Sequence, residues 1–155
     1  MPNSDSFFVK WSPRLLSVLR IVAAVLLMQH GAQKLFGVPA APPPPPQQQT
    51  AQQNAPPQQA AQQPSRTPPL ILVSAVLEFF GGLLLLTGLF TRPVAFLLSG
   101  EMAVAYFMAH APQGFWPMLN KGELAALYSF VFLYFAVAGG GAWSIDRLWR
   151  RDVPS

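Results

Sequence analysis

Four apolar stretches, at 14–36, 70–90, 93–111 and 123–142, constrain this 155-residue chain more than any other feature. Each approaches the ~20 residues that cross a hydrocarbon core at about 1.5 Å per residue, so the direct reading is four membrane helices. Composition agrees, with 52% apolar and 10% charged residues, where a soluble domain carries roughly 25% charge. The expected fold class is therefore all-α: an integral membrane four-helix bundle over 14–147, with a short segment 1–13 before it and a tail 148–155 after it. Thr91-Arg92-Pro93 gives the third helix a clean start and makes the second and third a tight hairpin. Lys10 and Arg14 ahead of the first run, with Val38-Pro39-Ala40 behind it, loosely resemble a signal peptide. The run is too long for one, however, and Gln29, His30, Gln33 and Lys34 interrupt its far end.

Residues 39–69 break the pattern. They hold eleven of the seventeen prolines and nine glutamines, with almost nothing apolar except alanine. Such a segment cannot bury enough surface to offset its ordering entropy and is expected to be a disordered, partly polyproline II spacer; a docking site for a polyproline-reading partner is the alternative. Lys10, Arg14, Arg92, Arg147, Arg150 and Arg151 fall on one side of the membrane, and Lys34, Arg66 and Lys121 on the other. That bias places both termini in the cytoplasm and the Pro/Gln insertion outside, as expected of a multi-pass membrane protein. Trp11, Trp116, Trp143 and Trp149 all lie near expected helix ends, where amphipathic aromatics settle. The net charge of +4 comes from basic residues spread singly, apart from the C-terminal arginines, and points to no nucleic-acid partner. The absence of cysteine excludes disulfides, thiolate chemistry and Cys-ligated clusters, so any redox role runs through a bound cofactor or a partner.

Ionisable groups inside a bilayer cost several kcal/mol unless paired or hydrated, which makes the few charges within the spans informative. At about 1.5 Å per residue, Arg20 and Glu101 lie about 9 and 12 Å from the cytoplasmic edge; His30 and Glu78 lie about 9 and 12 Å from the outer one. Lys34, His110 and Glu123 gather near the outer surface. At 100° per residue Arg20, Ala24, Leu27, Gly31 and Lys34 share one stripe of the first helix, with His30 at its border. The expectation is one polar column: Arg20 with Glu101 as a structural ion pair, His30 with Glu78, and Lys34 with His110 and Glu123. His30, Lys34, Glu78, His110 and Glu123 are its ligand or proton candidates. The bland reading has Arg20 snorkelling, Lys34, His110 and Glu123 as interfacial residues, and the buried pairs fixing helix register. Gly31, Gly81 and Gly82 read as packing positions for a close helix approach. No metal site is expected: Glu-x-x-His pairs are absent, and the two histidines differ in depth by about 6 Å, which disfavours a bis-His haem.

Taken in order, these motifs carry a resemblance. They run from His30-Gly31-Ala-Gln-Lys34 through Glu78-Phe-Phe-Gly81-Gly82 and Gly88-Leu-Phe-Thr91-Arg92. They continue through Ala105-Tyr-Phe-Met-Ala-His110, Asn120-Lys-Gly122-Glu123 and Gly139-Gly-Gly141-Ala-Trp-Ser144-Ile-Asp146. Over about 14–147 the chain resembles the DoxX family of small bacterial and archaeal four-helix membrane proteins, with the Pro/Gln segment as an insertion in a loop that is short in most members. The resemblance implies a membrane subunit near quinone-linked redox or oxidative-stress systems, more a non-catalytic accessory subunit than a stand-alone enzyme. A quinone is the implied cofactor; the implied partners are the lipid bilayer and redox-enzyme subunits or further copies of the chain. Glu101 is less typical of the family pattern than Glu78. Two other functions fit the same residues: a small proton-coupled permease or exporter, and a membrane scaffold with no chemistry of its own.

Overall fold

A computed structural model describes residues 4–40 and 69–151. Residues 41–68 of the expected insertion lie outside the described residues, as do 1–3 and 152–155 of the terminal segments. The described residues are helical with no strand: α1 (Ser4–Phe36), α2 (Pro69–Thr87), α3 (Thr91–Gln113), α4 (Glu123–Ala138) and a short α5 (Ile145–Arg151). Three of these, α1, α2 and α3, are long and apolar enough to cross a membrane.

The helix ends follow local chemistry. Helix α2 starts on Pro69, where the missing N–H costs nothing. It ends at Gly88, whose φ of +71° suits a residue without a Cβ. There Leu89 N–H donates to the Leu84 carbonyl and Gly88 N–H to that of Leu85, at 3.0 and 3.1 Å, closing a Schellman turn. Two residues later α3 begins, and its first free N–H groups are satisfied from far along the chain. The Asp146 carboxylate accepts from Phe90 N–H at 2.7 Å and Thr91 N–H at 2.8 Å, an N-terminal cap supplied by another helix.

The two largest departures from the expected boundaries are in the first and fourth helices, the second also ending at Thr87 rather than 90 and the third running Thr91–Gln113 rather than 93–111. The first helix begins at Ser4 rather than 14 and carries Pro13 inside it. The Pro13 carbonyl accepts from Ala142 N–H at 2.8 Å and from the Ser17 hydroxyl at 3.0 Å, so this turn is held from outside as well as within. The fourth helix stops at Ala138 rather than 142, because Gly139 takes a φ of +85°. Its 16 residues span about 24 Å, less than the other three.

Helix α1 packs along α2 and α3 along α4, with α2 and α3 joined by their tight turn. Ala24, Leu27, Leu85, Ala95, Leu98, Phe132 and Phe135 are buried between them. The outward faces stay apolar: Phe107 is 69%, Phe130 71% and Val137 73% exposed, the pattern of a protein whose solvent is lipid. One end gathers the first turns of α1, the α2–α3 turn, the close of α4 and α5. The opposite end holds the last turn of α1, the start of α2 and the 114–122 loop.

Candidate functional site

The stripe on α1 faces α2 along its length. Arg20, Ala24, Leu27 and Gly31 are buried, and Lys34 closes the row at the far end. Glycine makes the approach possible. A Cβ on Gly31 would lie 2.6 Å from Phe79 N and 2.9 Å from the Ala75 carbonyl, and one on Gly82 would lie 2.5 Å from Met28 Cγ. Gly81 faces α3, where a Cβ would meet Leu98 at 3.0 Å. Within this seam α2 makes a π turn at Leu77–Gly81, a local widening that recurs at functional sites, and Glu78 lies in it.

At the far end of the seam four side chains from three helices form one cluster. Lys34 Nζ donates to Glu78 Oε1 at 2.7 Å and to Ser74 Oγ at 3.0 Å. Ser74 Oγ lies 2.8 Å from Glu101 Oε1 and 3.3 Å from Glu78 Oε1. A serine has one proton to donate, and the shorter contact assigns it to Glu101. Glu78 Oε2 and Glu101 Oε2 are both buried, and neither has a hydrogen-bond partner among the described residues. The Lys34 side chain is 33% exposed and that of Glu78 5%, so the lysine joins a buried acidic pair to the surface. One ammonium thus faces two carboxylates. Protonating either carboxyl would turn an unpartnered acceptor into a donor and balance the charge.

Near the other end, Arg20 is fully buried and, among the described residues, makes no salt bridge. Its Nε donates to the Gly140 carbonyl at 2.9 Å, Nη2 to that of Trp143 at 2.6 Å, and Nη1 to those of Leu85 and Leu86, the latter at 2.9 Å. Leu85 and Leu86 are in the last turn of α2, where the helix dipole is negative and carbonyls lack the regular i+4 donors, the Leu85 carbonyl also accepting from Gly88 N–H in the closing turn. Ser17 completes the knot, accepting from Trp143 N–H at 3.0 Å. A Cβ on Gly88 would lie 3.0 Å from the guanidinium carbon. Arg20 therefore ties α1 to the end of α2 and the segment after α4.

The single polar column is thus corrected to two separate clusters. Arg20 pairs with backbone carbonyls rather than Glu101. Its Cα–Cβ bond points toward the start of α1, away from the middle of the bundle. The same tilt carries Lys34 back to Glu78, displacing His30 from that pairing. His30 is exposed one turn before Lys34. His110 does not join Lys34: its Nδ1 is 3.0 Å from the Asn120 carbonyl and its ring stacks against Tyr106. Glu123 is exposed in the first turn of α4, where a negative charge complements the dipole. No group of three or more potential metal-ligating side chains occurs among the described residues. Sequence reasoning missed Ser74, Ser17 and Asp146. For Ser74 a signal existed, since it precedes Glu78 by one helical turn and shares its face.

An uncharacterized protein of Haemophilus influenzae is 41% identical over 141 residues, covering 89% of this chain and 92% of that protein. No solved structure matches the chain. The DoxX family model matches residues 15–111, which carry the α1–α2 seam and both glutamates of the cluster, and the chain belongs to the DoxX family of membrane proteins.

Proposed function

We propose that this protein is a multi-pass four-helix bundle of the bacterial inner membrane, with both termini cytoplasmic, serving as a non-catalytic accessory subunit of a quinone-linked redox assembly. In this reading α4 crosses as a fourth, short span. The Lys34–Ser74–Glu78–Glu101 cluster holds and passes protons. The observation that carries the proposal is the pair of carboxylates, each with one buried oxygen that has no partner among the described residues, sharing one ammonium. A permanently ionised pair of this kind is costly to bury, whereas a cluster that takes up and releases a proton uses the same arrangement.

A bound quinone supplies two-electron, two-proton carrier chemistry. The residues fit its headgroup on one side of α1: His30 is exposed toward the lipid, and Lys34, one turn on, connects that face to the buried carboxylates. His30 would orient a carbonyl by a hydrogen bond, Lys34 would hold charge, and Glu78 and Glu101 would exchange the proton through Ser74. His110 and Glu123 take no part, since both are engaged or exposed around the 114–122 loop.

The test is purification from native membranes, with identification of co-purifying subunits and extracted quinones, alongside Glu78→Gln, Glu101→Gln and His30→Ala. The expected result is a quinone-dependent oxidoreductase activity that falls by about 100-fold in either glutamine variant, with helicity and melting retained. Wild-type activity and quinone binding in all three variants would overturn the proposal. Quinone-independent solute flux in proteoliposomes that collapses with Glu78→Gln would replace it with a proton-coupled permease.

A further inference from the structure

A second cleft, of about 400 Å³, opens at the end of the molecule where α1 begins and α4 closes. Arg92 and Arg147 line it together with Asp146 and glycines 139–141, and Leu16 and Ala138 give it an apolar flank. Both arginines are exposed. Among the described residues neither makes a salt bridge, the one that occurs being Lys34–Glu78. The carboxylate in the same wall is already committed, with both oxygens of Asp146 accepting from the backbone at the start of α3.

The glycine loop packs closely against its surroundings, a Cβ on Gly140 standing 2.6 Å from Ser144 Cβ. The Arg92 guanidinium lies across Gly139, with Nε 3.5 Å from where a Cβ would stand, and a Cβ on Gly141 would collide with Ser17 and the Pro13 carbonyl. Trp143 and Trp149, both exposed, bracket this end of the molecule, and such aromatics favour the depth of lipid headgroups.

We propose that this cleft is a binding site for a phosphodiester-bearing anionic lipid headgroup. Two guanidinium forks match phosphate geometry. Two arginines less one aspartate leave a single positive charge, which balances a singly charged phosphodiester better than a free phosphate of charge near −2. The apolar flank formed by Leu16 and Ala138 continues the cleft toward the hydrocarbon, where acyl chains lie. The site is separate from the Lys34 cluster and does not depend on any redox role.

The full chain, reconstituted in vesicles of phosphatidylcholine with a minor share of phosphatidylglycerol and recovered in detergent, is assayed for retained lipid by native mass spectrometry. Phosphatidylglycerol is expected to be retained selectively. Arg92→Gln and Arg147→Gln each lower retention about five-fold, and their combination lowers it more than either alone. Arg14→Gln, a basic residue over Trp11 outside the cleft, leaves it unchanged. Unaltered retention in the double variant would overturn the site, as would an equal loss in Arg14→Gln, which would mean general surface charge. Displacement of the lipid by an equal concentration of inorganic phosphate would reassign the cleft to a free anion. If the glutamine pair does not fold, Arg92→Lys with Arg147→Lys keeps the charges and removes the forks. It should lower retention about five-fold, and full retention there would also sink the proposal.

Discussion

Arg20 and the Lys34–Glu78–Glu101 cluster lie on the same seam between α1 and α2, and they treat buried charge in opposite ways. Arg20 spends its donors on four backbone carbonyls from two segments, the end of α2 and the loop after α4, and among the described residues makes no salt bridge. Two of those carbonyls lie at the negative end of the α2 dipole and two in the loop after α4, so the cation and these backbone acceptors satisfy one another. The glutamates are left with two buried oxygens to which nothing among the described residues donates. A fully satisfied buried charge is a structural fastening; a half-satisfied one persists only where something else is gained from it. The two ends of one seam therefore separate what holds the bundle together from what it can do.

Removing the fastening should produce the largest effect. Arg20→Met deletes every one of these contacts and strips the α2 end carbonyls of their side-chain donor, at an expected cost of about 3–5 kcal/mol, read as loss of the folded state or a steep fall in melting temperature in detergent. Normal stability in this variant would break the comparison at its root. Gly31→Leu comes next. Its side chain has no room against Phe79 and Ala75, so the seam must part, costing about 1–3 kcal/mol and pulling Lys34 away from Glu78. Asp146→Ala removes a distant cap from α3 and should cost about 1 kcal/mol in the same melting measurement, with no effect on proton uptake.

Much of this layout was legible in sequence, but not the partners. The 100° periodicity of Arg20, Ala24, Leu27, Gly31 and Lys34 marked the face of α1 that is buried against α2, and the glycines of α2 marked where that approach is closest. The three long helices could be read from length and apolarity alone. Depth matching then assigned the wrong pairs, because two groups within about one helical turn of the same level are equally good partners until side-chain direction is included. Arg20 could not have been matched to its acceptors at all. Every residue carries a carbonyl, and no sequence pattern singles out those of Leu85, Leu86, Gly140 and Trp143. Helix α4 was read four residues too long because an apolar count ignores that glycines 139–141 need not continue a helix.

The smallest expected change in stability tests the other half of the comparison. Glu101→Gln keeps the size of the side chain, supplies an N–H₂ donor, and removes one of two negative charges that share a single ammonium. If the cluster were a fastening like Arg20, losing its charge would weaken the seam between α2 and α3. If it is an unsatisfied site, the substitution should leave stability within about 0.6 kcal/mol of wild type or raise it, since interhelical polar contacts in membranes are individually weak. Proton uptake on reconstitution should fall in the same variant. Ser74→Ala sharpens this further. It removes the hydroxyl that alone connects Glu101 to Glu78 and Lys34, while leaving both carboxylates and the Lys34–Glu78 contact in place. Melting should change little and proton uptake should drop as it does in Glu101→Gln. A Ser74→Ala protein that melts lower but takes up protons normally would move the whole cluster into the structural class, alongside Arg20.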